Sequence, residues 1–252
     1  MPDVRILTYS LIGLGFGIYL FVSGFRWFRE KRLIENMPTS KIRSIAMGMV
    51  EIFGEAFPQK GKALKSPFSN NDCVYYRYTI EEYRSSGKSS KWVIVKKGES
   101  RTYFYLKDET GSVLIDPKGA KIDIPKDFEF NSSLGKDPPD KIKSFLKSNG
   151  VGFEGLFGMN KTMRYIEHFI APRDKVYIMG TAGDNPFVEE GSSQRNEMDI
   201  MMQKGKDFYY ISDKPEKDVL KLYGWWVIGG LFGGSALIVG CLFVIFAYIG
   251  IL

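Results

Sequence analysis

Few side chains in this sequence could do proton-transfer or nucleophilic chemistry. The single histidine, His168, stands close to Arg164 and Glu167. A histidine, a carboxylate and a cation are the parts of general acid–base catalysis, provided that they converge on one reacting group. Nothing local marks a nucleophile, and no GxSxG element occurs. A structural ion pair near a sheet edge is therefore the favoured role for Arg164 and Glu167, and they remain with His168 the only catalytic candidates. The adjacent carboxylates Glu81–Glu82 and Glu189–Glu190 do not make acid–base pairs, because strand neighbours point to opposite faces.

Metal and cofactor chemistry is limited in the same way. Two cysteines, Cys73 and Cys241, with one histidine cannot build a Cys-rich zinc site, so no metal is expected. Gly150 to Gly155 matches GxGxxG, but a helix precedes it where a dinucleotide site needs a buried strand. Gly87-Lys88-Ser89 ends like a phosphate-binding loop, yet Glu82 occupies the position of the required first glycine. No cofactor is expected. Asn131-Ser132-Ser133 and Asn160-Lys161-Thr162 fit the glycosylation pattern and would be unused in a cytoplasmic domain.

The elements that would position these residues follow from the placement of charge. Mean hydropathy is −0.15 over 252 residues, but residues 6–25 and 222–252 carry no charge at all. Twenty apolar residues span roughly 30 Å as a helix, the thickness of a bilayer core. The start is only weakly basic and bulky residues fill its exit, which favours a retained span over a cleaved signal. The chain therefore divides into a transmembrane helix over 6–25, a basic juxtamembrane helix over 26–44, a β-rich domain over 45–213, a linker over 214–224 and a second transmembrane helix over 225–248. Trp225 and Trp226 read as an interfacial belt, with Arg26, Arg29, Lys31, Arg32, Lys217 and Lys221 as basic collars. Small-xxx-small spacing pairs Gly13 with Gly17, Gly229 with Gly233 and Gly230 with Gly234, and fits close helix approach within or between chains.

The polar middle is rich in β-branched and aromatic residues. Strands are expected over 46–56, 73–83, 91–97, 101–107, 112–116, 121–124, 175–181, 197–203 and 207–212. Asp108-Glu109-Thr110-Gly111 and Asp116-Pro117-Lys118-Gly119 are turns, so the three strands around them read as a meander. Residues 85–90 read as a hairpin tip. Asp137-Pro138-Pro139-Asp140 starts a short helix that Asn149-Gly150 stops, inside a small subdomain over about 126–165. The expected fold class is a membrane-anchored α+β protein, with a mainly antiparallel β domain and minor helices between two transmembrane helices.

Eleven Lys and Arg residues flank the spans on the side of the domain, against Arg5 alone on the outer side. That bias places the domain in the cytoplasm. The basic residues gather at the membrane flanks instead of alternating with aromatics on one stripe, so membrane lipid is the expected partner and nucleic acid is not.

Several strings in order resemble one family. Met37-Pro38-Thr39-Ser40-Lys41-Ile42-Arg43-Ser44 precedes Gly48-Met49-Val50-Glu51 and Gly54-Glu55-Ala56. Pro67, Cys73-Val74-Tyr75-Tyr76-Arg77-Tyr78, Phe104 to Gly111, and Asp116-Pro117-Lys118-Gly119-Ala120 follow. Arg164-Tyr165-Ile166-Glu167, Val176-Tyr177-Ile178 and Asp207 to Ser212 complete the series. Over about 33–250 the chain resembles the GIDE or "beside a membrane" (BAM) domain of the MULAN-type mitochondrial E3 ubiquitin ligases. The resemblance implies a protein-binding domain between two membrane helices. In those ligases a zinc-binding RING follows the second helix; this sequence ends at Leu252 without zinc ligands, so a RING-less, prokaryotic-type member is expected, without ligase chemistry of its own. The resemblance also implies a domain facing the intermembrane space, which is topologically outside and opposite to the charge bias. The expected function is a membrane-anchored module or scaffold that binds an as yet unnamed protein, or the lipid surface, with self-association through the spans. The alternatives are a membrane-tethered enzyme and a subunit of an E3 ubiquitin ligase-like membrane assembly.

Overall fold

The computed structural model describes residues 4–87, 89–154, 160–188, 199–206 and 208–250. Its helices are α1 (Val4–Asn36), α2 (Asp140–Ser148), α3 (Glu216–Ile228) and α4 (Gly234–Tyr248), with a π-helical turn over Gly229–Gly233. The chain forms two compact units, one from its two ends and one over Thr39–Lys214.

In the terminal unit, α1 and the continuous run from α3 to α4 each have 33 residues and are long and apolar enough to cross a membrane. Each is about 50 Å long, well beyond a bilayer core of roughly 30 Å. The basic stretch from Arg26 to Asn36 extends the first span as the last turns of α1, and the helix does not reach residue 44. It stops at Asn36, ahead of Pro38, whose ring disfavours helix in the residue before it. Residues 42–44 form a separate short 3-10 turn.

The middle unit is built on β-strands. These are β1 (Gly48–Pro58), β2 (Leu64–Lys65), β3 (Asp72–Cys73), β4 (Tyr75–Ser86), β5 (Ser89–Arg101), β6 (Phe104–Lys107), β7 (Ser112–Ile115), β8 (Lys121–Asp123), β9 (Phe128–Ser132), β10 (Met163–Ile170), β11 (Lys175–Asp184), β12 (Ile200–Gln203) and β13 (Tyr210–Ser212). Strand β1 pairs with both β6 and β11, and the order β1-β6-β7-β12-β11 therefore closes on itself as a five-stranded barrel, with β13 and β8 continuing from β11. Alternate residues fill the interior: Val50, Ile52 and Ala56 of β1, Val176 and Ile178 of β11, Leu106, Val113 and Met202. Gly54 belongs to this alternation for another reason. A Cβ there would lie 2.3 Å from the Lys107 carbonyl oxygen, so only glycine lets β6 approach β1 this closely.

The second sheet has the order β5-β4-β10-β9 and is antiparallel throughout. One face packs Tyr78, Ile80, Met163 and Tyr165 against Ile142 and Leu146 of α2 and against Phe68. Helix α2 begins and ends where the Pro-Pro-Asp and Asn-Gly signals place it. Gly150 takes φ +65° just beyond its end, which accounts for the first glycine of the GxGxxG string.

The linker expected over 214–224 is, from Glu216 on, the start of α3, and the strands differ from expectation as well. Strands β9 and β10 were not anticipated, and 163–170 is the second strand from one edge of the sheet. The meander does not form: β6 and β7 pair antiparallel, but β8 leaves them and pairs parallel with β13, while β7 pairs parallel with β12. The strand expected at 101–107 is divided, Arg101 ending β5 and β6 starting at Phe104. Of the strand expected at 197–203, residues 197 and 198 lie outside the described residues, as do Asp207 and Glu189–Glu190.

The Asp108 turn is fastened to the start of the domain. Its carboxylate accepts hydrogen bonds from Ile42 N (2.9 Å), Thr110 N (2.7 Å), Thr110 Oγ1 (2.6 Å) and Gly111 N (2.9 Å). Partial burial pushes the carboxyl up, but these bonds outweigh it and hold it below the usual aspartate range. A folded-state pKa below the unfolded value means that the contribution is complete at neutral pH and is lost as pH falls below about 4. Asp108→Asn is expected to lower the thermal midpoint at pH 7 by roughly 2–8 °C, on a loss of about 1–2 kcal/mol. The deficit against wild type should shrink between pH 4 and pH 2.5, which melting curves across that range check.

Candidate functional site

The three catalytic candidates all lie on β10, and its geometry separates them. Alternation puts Arg164 and His168 on one face of the sheet and Glu167 on the other. Arg164 pairs with Glu81 on β4, not with Glu167. Its Nε and Nη2 donate to Glu81 Oε2 at 2.7 and 2.5 Å, and its guanidinium stacks 4.5 Å over the Trp92 ring. His168 Nδ1 lies 2.6 Å from the Pro125 carbonyl oxygen and 3.2 Å from that of Ile124. The two carbonyl oxygens suit the tautomer with its hydrogen on Nδ1, and Arg77 Nη2 lies farther off at 3.5 Å. Glu167 is fully buried. Its carboxylate accepts from the backbone N–H groups of Phe68 and Ser69 (3.0 Å for Ser69) and from Ser69 Oγ (2.7 Å). The donors come from a tight turn closed by Ser66 N to Asn71 O (3.0 Å) with Asn70 at φ +64°. Each candidate is thus engaged in holding one element to another, and the three do not converge.

Residues 151–154 of the glycine loop line a cleft of about 380 Å³ with Lys143 and Lys147. None of the three β10 residues lines it, and Gly155 and Gly158 lie outside the described residues. Among the described residues, no group of three or more His, Cys, Asp or Glu side chains could hold a metal ion.

Two carboxylates that the sequence does not single out join distant segments, Glu51 fully buried and Asp123 part-buried. Glu51 accepts from Thr39 Oγ1 (2.6 Å) and from the Tyr177 hydroxyl (2.7 Å), tying the first residues of the domain to β11. Asp123 accepts from the Tyr210 hydroxyl (2.9 Å) and from Lys214 Nζ (3.1 Å), which fastens the last residues. Burial, and after it the Asp123 charge, push the Tyr210 hydroxyl well above the ordinary phenol range. Both ends of the domain are therefore anchored by carboxylate–tyrosine contacts, fully buried at Glu51 and part-buried at Asp123.

In the terminal unit, the two long helices pack antiparallel through glycine. A Cβ on Gly230 would lie 2.7 Å from Gly24 Cα, and one on Gly234 would lie 2.8 Å from Phe21 N and 3.0 Å from Gly17 O. One on Gly13 would lie 2.8 Å from Cys241 Sγ. Gly13, Gly17, Gly230 and Gly234 therefore line the seam, together with Gly24, which the spacing argument passed over. Gly229 and Gly233 do not: nothing lies within 4 Å of a Cβ on either. Of the interfacial residues, Trp27 and Trp226 meet across the seam at 5.9 Å, while Trp225 is exposed. Arg26 donates to Ser23 Oγ (3.2 Å), Arg32 lies over the Phe28 ring (5.4 Å), and Arg29, Lys217 and Lys221 are exposed. Lys31 is half-buried.

Two long apolar helices flanking a mostly β domain make this a membrane-anchored α+β protein. The family described as GIDE, E3 ubiquitin ligase, matches residues 75–244, and the chain belongs to that family. No curated protein matches it, and no solved structure does.

Proposed function

We propose that this protein is a membrane-anchored interaction module that recruits a partner to the bilayer surface and does not itself transfer ubiquitin. The divergence of Arg164, Glu167 and His168 into separate structural contacts carries this reading. A catalytic group must reach the reacting atoms, and these side chains are committed to β4, the 66–71 turn and the 124–125 carbonyls. The domain keeps its outer surface for contact and is fastened through Glu51 and Asp123 close to both of its ends.

Family membership supports a second reading within the same class, a subunit of a ubiquitin ligase-like membrane assembly in which another chain supplies the RING. The basic collars favour a cytoplasmic domain. Reconstitution with ubiquitin-activating enzyme, a panel of conjugating enzymes and ubiquitin tests the proposal. The chain alone should give no conjugates above the reaction without it. A ladder that needs the chain would overturn it, and its loss with His168→Ala would assign the activity to the β10 site.

A further inference from the structure

We infer that the free edge of β5 is a strand-addition site for an extended segment of another protein, apolar at its centre and acidic at its ends. The inference rests on the reading of the domain as an interaction module, and it names the place and the chemistry of the contact. Strand β5 has 13 residues and stands at the edge of its sheet, in the order β5-β4-β10-β9. Among the described residues, no backbone group outside β4 bonds to the backbone over 90–101. The hairpin also lacks support on its other side. Strand β10 pairs with β4 only as far as Glu82, and the last link is Tyr83 N to Thr162 O at 2.8 Å. Beyond it the hairpin continues as two strands, which are marginal in water, and a third strand along β5 would steady them.

The edge carries the run Trp92-Val93-Ile94-Val95, without charge or proline. The unpaired N–H and C=O groups of such an edge are a template for another strand. Trp92 and Ile94, 37% and 55% exposed, stand on the face away from α2. There the Trp92 ring is fixed between Tyr83 (5.2 Å) and the Arg164 guanidinium (4.5 Å), so alternate side chains of a guest strand meet a ready-made apolar surface. Charge selects the guest. Lys91 precedes the run and Lys97 follows it; both are exposed, and neither makes an ion pair or hydrogen bond among the described residues. The neighbouring charges are committed: Arg84 to Glu82 (2.7 Å), Lys96 to the Asn149 carbonyl (3.0 Å) and Arg101 to Glu99. An antiparallel second copy centred on the run would set Lys91 against Lys96, and like charges facing each other across strands are destabilising. A segment with carboxylates at its ends places them beside Lys91 and Lys97 instead. The lysines thus guard the edge against self-pairing and leave it open to an acidic strand. The bulge between Ile80 and Glu81 adds Val95 to β5, so the regular ladder offered to the guest covers 90–94, with Lys97 just past the bend.

The test uses the full chain in phosphatidylcholine nanodiscs and three short fluorescent peptides read by anisotropy. Each has an alternating valine–threonine core. One carries aspartates at both ends, one carries lysines there, and one has the aspartates and a proline at the centre of the core. The aspartate peptide should bind saturably and roughly tenfold more tightly than the lysine peptide. The proline peptide should lose binding, because proline cannot donate to a ladder. Lys91→Glu with Lys97→Glu should reverse the order of the first two peptides, and a thermal midpoint equal to that of wild type shows that the exposed changes leave the fold intact. The inference is overturned if no peptide binds, if all three bind alike, or if the reversed edge keeps the wild-type order. A crosslink between Ser90→Cys chains in a Cys241→Ala background that the aspartate peptide cannot displace assigns the edge to a second copy and overturns it as well. Photo-crosslinking in native membranes separates the two levels. A protein captured equally by the wild-type and reversed domains refutes the β5 site alone, and a domain that captures nothing refutes the interaction module too.

Discussion

Glu167→Ala lowers the thermal midpoint of the domain by roughly 6–12 °C, the shift that about 3 kcal/mol gives in a domain of this size. The carboxylate is fully buried and is the acceptor for two backbone N–H groups and one hydroxyl of the 66–71 turn. Alanine leaves those donors buried without an acceptor and opens a cavity beside Phe68. The turn carries Phe68, whose ring makes edge contacts to Tyr78, Phe145 and Tyr165, so its loosening spreads into the α2 core. Glu167→Gln, which keeps the shape but brings an N–H₂ towards donors, should fall between wild type and alanine. Arg164→Ala on the opposite face breaks a partly exposed pair and should cost about 1 kcal/mol. Thermal melts of the three variants check the order. Equal losses for Glu167→Ala and Arg164→Ala would remove the special role given to Glu167.

Gly230→Leu separates the two long helices, whereas Gly229→Leu leaves them together. The contrast depends on one step around the helix: a Cβ at 230 meets Gly24 Cα at 2.7 Å, and one at 229 meets nothing within 4 Å. A side chain of leucine size at 230 forces the backbones apart, which costs about 1–3 kcal/mol by overpacking. An oxidative crosslink reads the seam at its other end, because Gly13→Cys places a second sulfur beside Cys241. Crosslink yield should fall roughly tenfold when Gly230→Leu is added and stay unchanged with Gly229→Leu. The same yield in both would contradict the antiparallel register.

Parts of this architecture were open to a sequence reading because their causes are local. The charge-free spans, the Pro38 break, the Pro-Pro-Asp start of α2 and the Ser85–Ser90 tip each depend on residues within a few positions. Strand β10 escaped because its inward positions include Glu167; a carboxylate at a buried position hides the apolar alternation of Met163 and Tyr165. The acceptor role that makes this burial stable belongs to a turn almost a hundred residues earlier. The parallel pairings of β8 with β13 and of β7 with β12 have no local signature, and the turn residues at 116–119 suited a meander equally well. Gly24 escaped for a related reason: it lacks a small partner four residues away and is specified only by Gly230 on the other helix. The divergence of Arg164, Glu167 and His168 could be seen only once 163–170 was known to be a strand.

The account centres on recruitment by the folded domain, and photo-crosslinking in native membranes tests that most directly. Cells carry the wild-type chain or the destabilised Glu167→Ala chain, both inserted through the same two spans, with a photoreactive residue at exposed positions of the domain. The account predicts a protein that is crosslinked by the wild-type domain, enriched over an unrelated two-span protein, and lost with Glu167→Ala above its melting temperature. A chain that crosslinks nothing beyond that background, or a crosslinked protein that persists when the domain is unfolded, would contradict it.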